Sequence, residues 1–139
     1  NSNDMISIKT LYDDMGKAVQ GICKRVYPRN RPKSVDSRLE SYIVVSFPSY
    51  IYNNEIDDKG SYNDYSTIAQ IEIYIRDKND AKNPNLINIS EVDKAVKAVM
   101  ERFPISTDNI LVTSPQITLQ ADDGNGFSVT IIQGKLRTK

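Results

Sequence analysis

Few residues in this chain could do acid-base or nucleophilic chemistry, because histidine is absent from all 139 positions. Histidine is the side chain that titrates near neutral pH, the usual base beside a serine or cysteine nucleophile, and the commonest zinc ligand. The single cysteine, Cys23, adjoins an apolar helical stripe and has no imidazole to activate it. We therefore expect an inert thiol, no bound cofactor or metal, and a protein that is not an enzyme.

Carboxylates cluster in two polar segments, and carboxylate oxygens are the ligands that a hard cation such as calcium prefers. One cluster contains Glu55, Asp57 and Asp58, and the other contains Asp122 and Asp123. An EF-hand loop that began at the last of these would need a bidentate carboxylate at its twelfth position, where a glycine stands instead. The first cluster is therefore interpreted as a solvated loop and the second as the turn of a hairpin.

Cations concentrate in "KRVYPRNRPK", residues 24–33, where Arg25, Arg29, Arg31 and Lys33 are candidates for contact with an anion such as a phosphate. The segment follows a predicted helix, and cations near a helix C-terminus are favourable without any ligand. No phosphate-cradling glycine loop accompanies it, and 18 basic residues balance 18 acidic ones over the chain. A protein partner and a local nucleic-acid contact stay open as alternatives. General affinity for nucleic acid or for an anionic membrane is not expected.

Tyrosine is frequent, with eight tyrosines against three phenylalanines and no tryptophan, and four of the eight fall in the middle connection, residues 49–66. Tyrosine is enriched at protein interfaces because it offers a large ring with a polar tip, whereas packing beneath a long loop is the alternative. A polar run after the alternating stretch "IAQIEIYIR" is a second candidate contact. Together they give a candidate assembly interface that comprises Tyr50, Tyr52, Tyr62, Tyr65, Arg76, Lys78, Asn79, Asp80 and Lys82.

Apolar residues at steps of three and four predict two amphipathic helices that would position these groups. The first stripe runs from Ile8 to Val26, and two prolines follow it. The second helix is expected to start at an N-cap, Ser90, and to end at Pro104.

Strands are predicted where β-branched and aromatic residues recur or alternate with polar ones, over residues 40–48, 68–76, 109–121 and 127–137. The segment 49–66 has a weaker pattern and is an optional further strand. The glycines of "DDGNG" permit a tight hairpin between the last two strands, and Pro115 is expected at an edge or a bulge.

Short connections between neighbouring strands favour antiparallel pairing. The chain is therefore predicted to be a single α+β domain over residues 1–139. It would contain a mainly antiparallel sheet of four or five strands with two helices packed on one face, in the order α-β-β-(β)-α-β-β.

The order of these elements, with "IEIYIRDKNDAKNPNLINISEVDKAVKAVM" at its centre, resembles small neck and tail proteins of long-tailed phages and prophages, the tail terminator and tail-completion group. In that group an N-terminal helix precedes a strand pair. A strand of the "I-x-I-Y-I-R" kind then runs into a polar loop, and a helix and a final hairpin follow. The match covers nearly the whole chain as a pattern without a diagnostic signature, and the long segment 49–66 departs from it.

The resemblance implies a structural protein that forms a ring, commonly of six, at the end of the tail tube and presents a surface to the head connector. Its partners would be copies of itself and other tail or connector proteins, in the host cytoplasm during assembly and then in the virion. Residues 77–87 would order against a neighbouring subunit, since a long loop in a compact domain is more often functional than idle. The alternative is a small binding module of a mobile element that contacts nucleic acid or a protein partner through residues 24–33. No apolar run reaches the roughly 18 residues that a membrane helix needs.

Overall fold

The structure is a computed structural model of the chain and describes residues 7–31, 33–56, 62–78 and 86–139. Helix α1 spans Ile8–Ala18 and helix α2 spans Ile89–Glu101. The strands are β1 (Val26–Pro28), β2 (Ser41–Ser46), β3 (Tyr52–Ile56), β4 (Tyr62–Arg76), β5 (Ile105–Ser106), β6 (Ile110–Asp122) and β7 (Phe127–Thr138). The α+β class predicted from the sequence is confirmed.

The strands of the described residues form one seven-stranded sheet in the order β1-β2-β4-β7-β6-β5, and β3 pairs with the first half of β4 beside β2. Every pairing is antiparallel except that of β1 with β2. The prediction of four or five strands was wrong because β1 and β5 are only three and two residues long. Such short strands carry no periodicity that a sequence pattern could reveal. The optional strand in the segment 49–66 is present as β3.

Helix α1 begins at the N-cap Ser7, whose hydroxyl accepts a hydrogen bond from the Thr10 amide at 3.1 Å. It ends at Ala18, eight residues before the predicted end of the stripe. Gly21 adopts φ +85°, a left-handed conformation that ends the helical path and that glycine reaches without steric cost. Val26 therefore keeps the helical spacing but pairs with Ile43 as the first residue of a parallel strand.

Helix α2 begins at Ile89, and its N-cap is Asn88, whose side chain accepts from the Glu91 amide at 3.4 Å. The prediction of Ser90 as the cap was wrong by two residues. Asparagine caps a helix about as well as serine, and Asn88 precedes Ser90 by two residues. The helix ends before Pro104, as predicted.

Strand β4 divides the molecule into two layers by strict alternation of its side chains. Ala69, Ile71, Ile73 and Ile75 are buried on one face, in the same core cluster as Leu11 and Met15 of α1 and Ala95 and Val99 of α2. Both helices therefore cover this face, which we call the helix face, as the sequence predicted.

The opposite face of the sheet, the outer face, has a smaller aromatic cluster. Tyr42 and Tyr74 stack with ring centroids 4.4 Å apart, and Phe127 meets the Tyr42 ring edge-on at 5.2 Å. Val35 and Leu39 pack against the cluster from the segment that precedes β2. The outer face is thus closed by this chain's own residues at the end of β4 where these rings lie.

Gly134 of β7, opposite Ala69, is closely packed on the helix face. A Cβ at this position would lie 2.7 Å from Val112 Cγ1 and 2.8 Å from Phe103 Cε2. We expect Gly134→Ala to lower the free energy of unfolding by about 1–3 kcal/mol, because the added methyl overpacks the core. Chemical denaturation measures this difference.

Gly16 in α1 provides the matched control, because no atom lies within 4 Å of an added Cβ there. Gly16→Ala is expected to stabilise the protein by up to about 1 kcal/mol through helix propensity. If the two variants unfolded alike, the close packing of Phe103 on β7 would be refuted.

Candidate assembly surface

The described residues contain no group of three or more histidine, cysteine, aspartate or glutamate side chains placed to hold a metal ion. Cys23 is half-buried behind α1, and burial raises the pKa of its thiol, an effect that Ser41 partly opposes. The neutral thiol is therefore favoured over the nucleophilic thiolate.

The exposed aromatic surface consists of Tyr50, 78% exposed, and Tyr52, 57% exposed, whose ring centroids lie 6.1 Å apart. We call them the tyrosine patch. Thr67 of β4 donates its hydroxyl hydrogen bond to the Tyr50 carbonyl at 2.9 Å, and Tyr52 pairs with Ser66 in the sheet. Two large rings are thus held in solvent on backbone that the sheet fixes.

Tyr65, also predicted for the interface, was wrongly placed at the surface, since its side chain is buried in the core. Tyr65 is the fourth residue of β4, and its side chain is one of the alternate side chains that face the core. Its backbone amide donates to the Thr138 hydroxyl, which donates in turn to the Tyr65 carbonyl. The sequence prediction began this strand at residue 68, six residues too late, and therefore left Tyr65 in a loop. The Tyr62 side chain lies outside the described residues.

Arg76 is used by the fold. Its guanidinium donates hydrogen bonds to the Leu39 and Asp36 carbonyls at 2.9 and 3.2 Å and lies 4.5 Å from the centroid of the Phe127 ring. These contacts hold the segment before β2 over the outer face. The structure therefore gives Arg76 an intramolecular role, whereas the interface prediction had treated it as a free cation.

The loop after β4 has a closed base. The Lys78 amide donates to the Leu86 carbonyl at 2.7 Å, and the Leu86 amide donates back at 3.2 Å. Lys78 is exposed, and so are Leu86, Ile87 and Ile89. We call these four residues the loop base.

Sequence reasoning missed the apolar part of this surface, although "NLINI" places three apolar residues at the end of a polar run. The predicted interface residues Asn79, Asp80 and Lys82 lie outside the described residues. Their role in assembly stays a prediction.

The tyrosine patch lies beside the first part of β4, and the loop base follows the last residues of that strand. Ser66 pairs with Tyr52, and Arg76 precedes the loop base. The ten residue steps from Ser66 to Arg76 cover roughly 33 Å at a strand rise of about 3.3 Å per residue. The molecule therefore presents two chemically different surfaces at a separation fixed by a hydrogen-bonded strand.

Two basic residues of the segment 24–33 relate to different faces of the sheet. Arg25 lines an open groove of about 1050 Å³ between α1 and β1 on the helix face. Burial raises the pKa of Tyr42, which belongs to the outer face, and the positive charge of Arg31 partly opposes this effect. Arg29 and Lys33 are exposed. A shared anion contact of all four residues stays a prediction.

Acidic residues converge where β4 ends beside the final hairpin. The turn itself was predicted correctly: the Asp122 and Asp123 side chains accept hydrogen bonds from the Gly124 and Asn125 amides at 2.8 and 2.6 Å.

Asp77 is buried beside this turn and accepts from the Ser128 hydroxyl at 2.5 Å, while its Oδ2 has no hydrogen-bond partner in the described residues. Burial raises the pKa of Asp77, and the neighbouring Asp122 carboxylate raises it further. The other acidic segment, with the Glu55 side chain, Asp57 and Asp58, lies outside the described residues.

The chain matches no protein-family model and no curated protein. Neither α1 nor α2 has the length and apolar character required to cross a membrane, within the ranges that the structure describes.

The burial of Asp77 predicts a pH dependence of stability. Because its pKa is raised in the folded state, the folded protein holds this proton more tightly than the unfolded chain, and stability falls as pH rises above the ordinary aspartate range. Asp77→Asn keeps an acceptor for Ser128 and supplies a donor toward Asp122. We expect this variant to be more stable than the native protein at pH 7, by on the order of 1 kcal/mol, and equally stable near pH 3.

Urea denaturation between pH 3 and pH 8 makes the comparison, with exposed Asp108→Asn as the control that should leave the native pH dependence in place. If Asp77→Asn instead destabilised the protein at pH 7, the carboxylate form of Asp77 would be the one that the fold prefers.

Proposed function

We propose that this protein is a non-enzymatic structural subunit of a phage or prophage, a tail terminator or neck protein that assembles head-to-tail into a ring at the end of the tail tube. The observation that carries the proposal is the pair of different exposed surfaces, the tyrosine patch beside Ser66 and Thr67 of β4 and the loop base beyond Arg76, at separated positions along one strand. The family resemblance supplies the biological setting.

A head-to-tail ring needs two different, complementary surfaces on each subunit, and it closes when the rotation between neighbours returns to the start. In the proposed contact, the rings of Tyr50 and Tyr52 pack on Leu86, Ile87 and Ile89 of the next subunit. The tyrosine hydroxyls stay at the rim, where the Lys78 ammonium can meet them. Aromatic anchors surrounded by a polar rim are the usual composition of protein interfaces.

The fold suits a ring because the two surfaces belong to one sheet. Strand β4 pairs with β2 and β3 on one side and with β7 on the other, so the distance between its ends is set by hydrogen bonds. A rigid spacer gives each subunit the same angle to its neighbour, which ring closure requires. The α+β architecture with both helices on one face agrees with the family resemblance, although fold alone does not define function.

The rival interpretation, a binding module that uses residues 24–33, requires its cations to share a surface. Arg25 and Arg31 instead relate to opposite faces of the sheet. A cluster of phosphate contacts would need several cations along one backbone track. The geometry therefore favours the ring over this alternative.

The ring proposal predicts that Tyr50→Ala with Tyr52→Ala, or Lys78→Glu alone, weakens assembly at least roughly tenfold while leaving the melting temperature unchanged, because all three side chains are exposed. Lys17→Glu, an equally drastic reversal on the exposed side of α1, is the matched control and should assemble normally. Native mass spectrometry at high protein concentration and electron microscopy on tail tubes measure the assembly.

Shortening the loop by deleting residues 79–85 tests the other half of the same contact and should also impair the ring. A native protein that stays monomeric at every concentration and joins no tube would refute the ring. A ring that tolerates all of these changes would instead assign the contact to other residues.

A further inference from the structure

The outward edge of β6 is unguarded over its second half. Strand β5 pairs with β6 only at Leu111 and Val112, and no other strand of the described residues flanks β6 on that side. The segment "QITLQA", residues 116–121, has neither a charge nor a proline. Natural sheets protect such edges with lysine, proline, bulges or a covering element, because unpaired amides and carbonyls recruit another strand.

Two apolar side chains accompany this edge. Ile117 pairs with Ile132 and Leu119 with Thr130, so both side chains project from the helix face of the sheet. Ile117 is 45% exposed and Leu119 is 77% exposed. Their strand partners on β7 are buried, so these two residues lie beyond the area that the helices cover.

The edge segment is self-complementary when it is paired antiparallel with itself. In a register centred on Thr118, Gln116 faces Gln120 of a second copy, Ile117 faces Leu119, and Thr118 faces Thr118. Amides therefore meet amides, apolar side chains meet apolar side chains, and a threonine meets a threonine at the centre. The sequence "QITLQ" therefore fits a second copy of this chain in one particular register.

Irregularities in β6 restrict pairing to the same segment. A register shift lies between Thr113 and Gln116, where Ser114 has φ +57° and Pro115 lacks an amide donor. A second shift lies between Leu119 and Asp122. The regular part of the edge between these shifts has its centre near Thr118, the centre of the self-complementary register.

We propose that two copies of this chain pair through β6, antiparallel about a two-fold axis at Thr118, so that Ile117 of one copy packs on Leu119 of the other. This contact goes beyond the proposed ring, because a two-fold contact closes after two copies and uses neither the tyrosine patch nor the loop base. A single short strand pair buries less than the roughly 800 Å² per partner of a standard interface, so the dimer is weak and depends on concentration.

Disulfide trapping tests the register directly. In a Cys23→Ser background, Thr118→Cys places two thiols opposite each other on the axis, within disulfide reach. Leu119→Cys is the matched control, because two residues at 119 are offset along the strands by roughly 7 Å and their Cα atoms lie beyond the roughly 7 Å limit for a disulfide. We expect at least roughly tenfold more covalent dimer from Thr118→Cys, although residue 119 is highly exposed.

Charge exchange tests the same register without cysteine. Leu119→Glu and Ile117→Lys should each abolish the concentration-dependent dimer in sedimentation velocity. The double variant sets lysine opposite glutamate at both positions, so it should recover dimerisation by at least roughly tenfold relative to either single variant. This recovery requires residue 117 of one copy to face residue 119 of the other.

Equal disulfide yields at 118 and 119, or a double variant as monomeric as the single ones, would overturn the two-fold pairing. A native protein that sediments as a monomer at the highest soluble concentration, with no covalent dimer from Thr118→Cys, would also overturn it. Adding Tyr50→Ala and Tyr52→Ala to the Thr118→Cys protein separates the two proposals. The β6 disulfide should form unchanged in that protein whether or not the ring is correct.

Discussion

Strict alternation of side chains along β4 is the constraint on which the rest of the structure depends. Ile71, Ile73 and Ile75 face the helices, while Tyr74 and Arg76 face the other way. Each buried isoleucine contributes roughly 1.5–3 kcal/mol, so three together approach the roughly 5–15 kcal/mol net stability of a typical domain. A slip of one residue in register would reverse both faces. The register therefore determines which surfaces remain for contact with other molecules.

On the outer face, aromatic and cationic side chains make their contacts within the chain. Burial raises the pKa of Tyr42 and of Tyr74 to about 12, so both phenols stay neutral in the aromatic stack. Arg76 closes this cluster by holding the backbone at Asp36 and Leu39. Aromatic and cationic residues near the C-terminal end of β4 thus serve the fold, whereas Tyr50 and Tyr52 remain exposed to solvent.

The sequence predicted the elements whose periodicity is long and missed those that depend on a few residues. Repeated apolar positions predict helix α2, the second half of β4 and the final hairpin. By contrast, the end of the helical path before β1 depends on a single left-handed residue, Gly21. Val26 fits the helical spacing of α1 although it belongs to a strand. The sequence placed Tyr50 and Tyr65 in the same loop segment, residues 49–66. Because β4 begins at Tyr62, Tyr65 belongs to the strand and is buried in the core, whereas Tyr50 is exposed to solvent. The edge position of β6 was not predictable, because strand order depends on pairing across the whole chain.

The β1 edge and the β6 edge of the sheet differ in the features that discourage pairing with a strand of another chain. At one edge, β1 has three residues, ends in Pro28 and is followed by the exposed Arg29, all of which discourage pairing. In β6, Pro115 and the two register irregularities lie outside residues 116–119, and this part of the edge has no charged residue. The proposed two-fold pairing would cover residues 116–120 of both copies and close after two copies, so it would not propagate as edge-to-edge aggregation does. Because β7 separates β6 from β4, this closed contact and a ring contact through the tyrosine patch and the loop base can form on the same subunit.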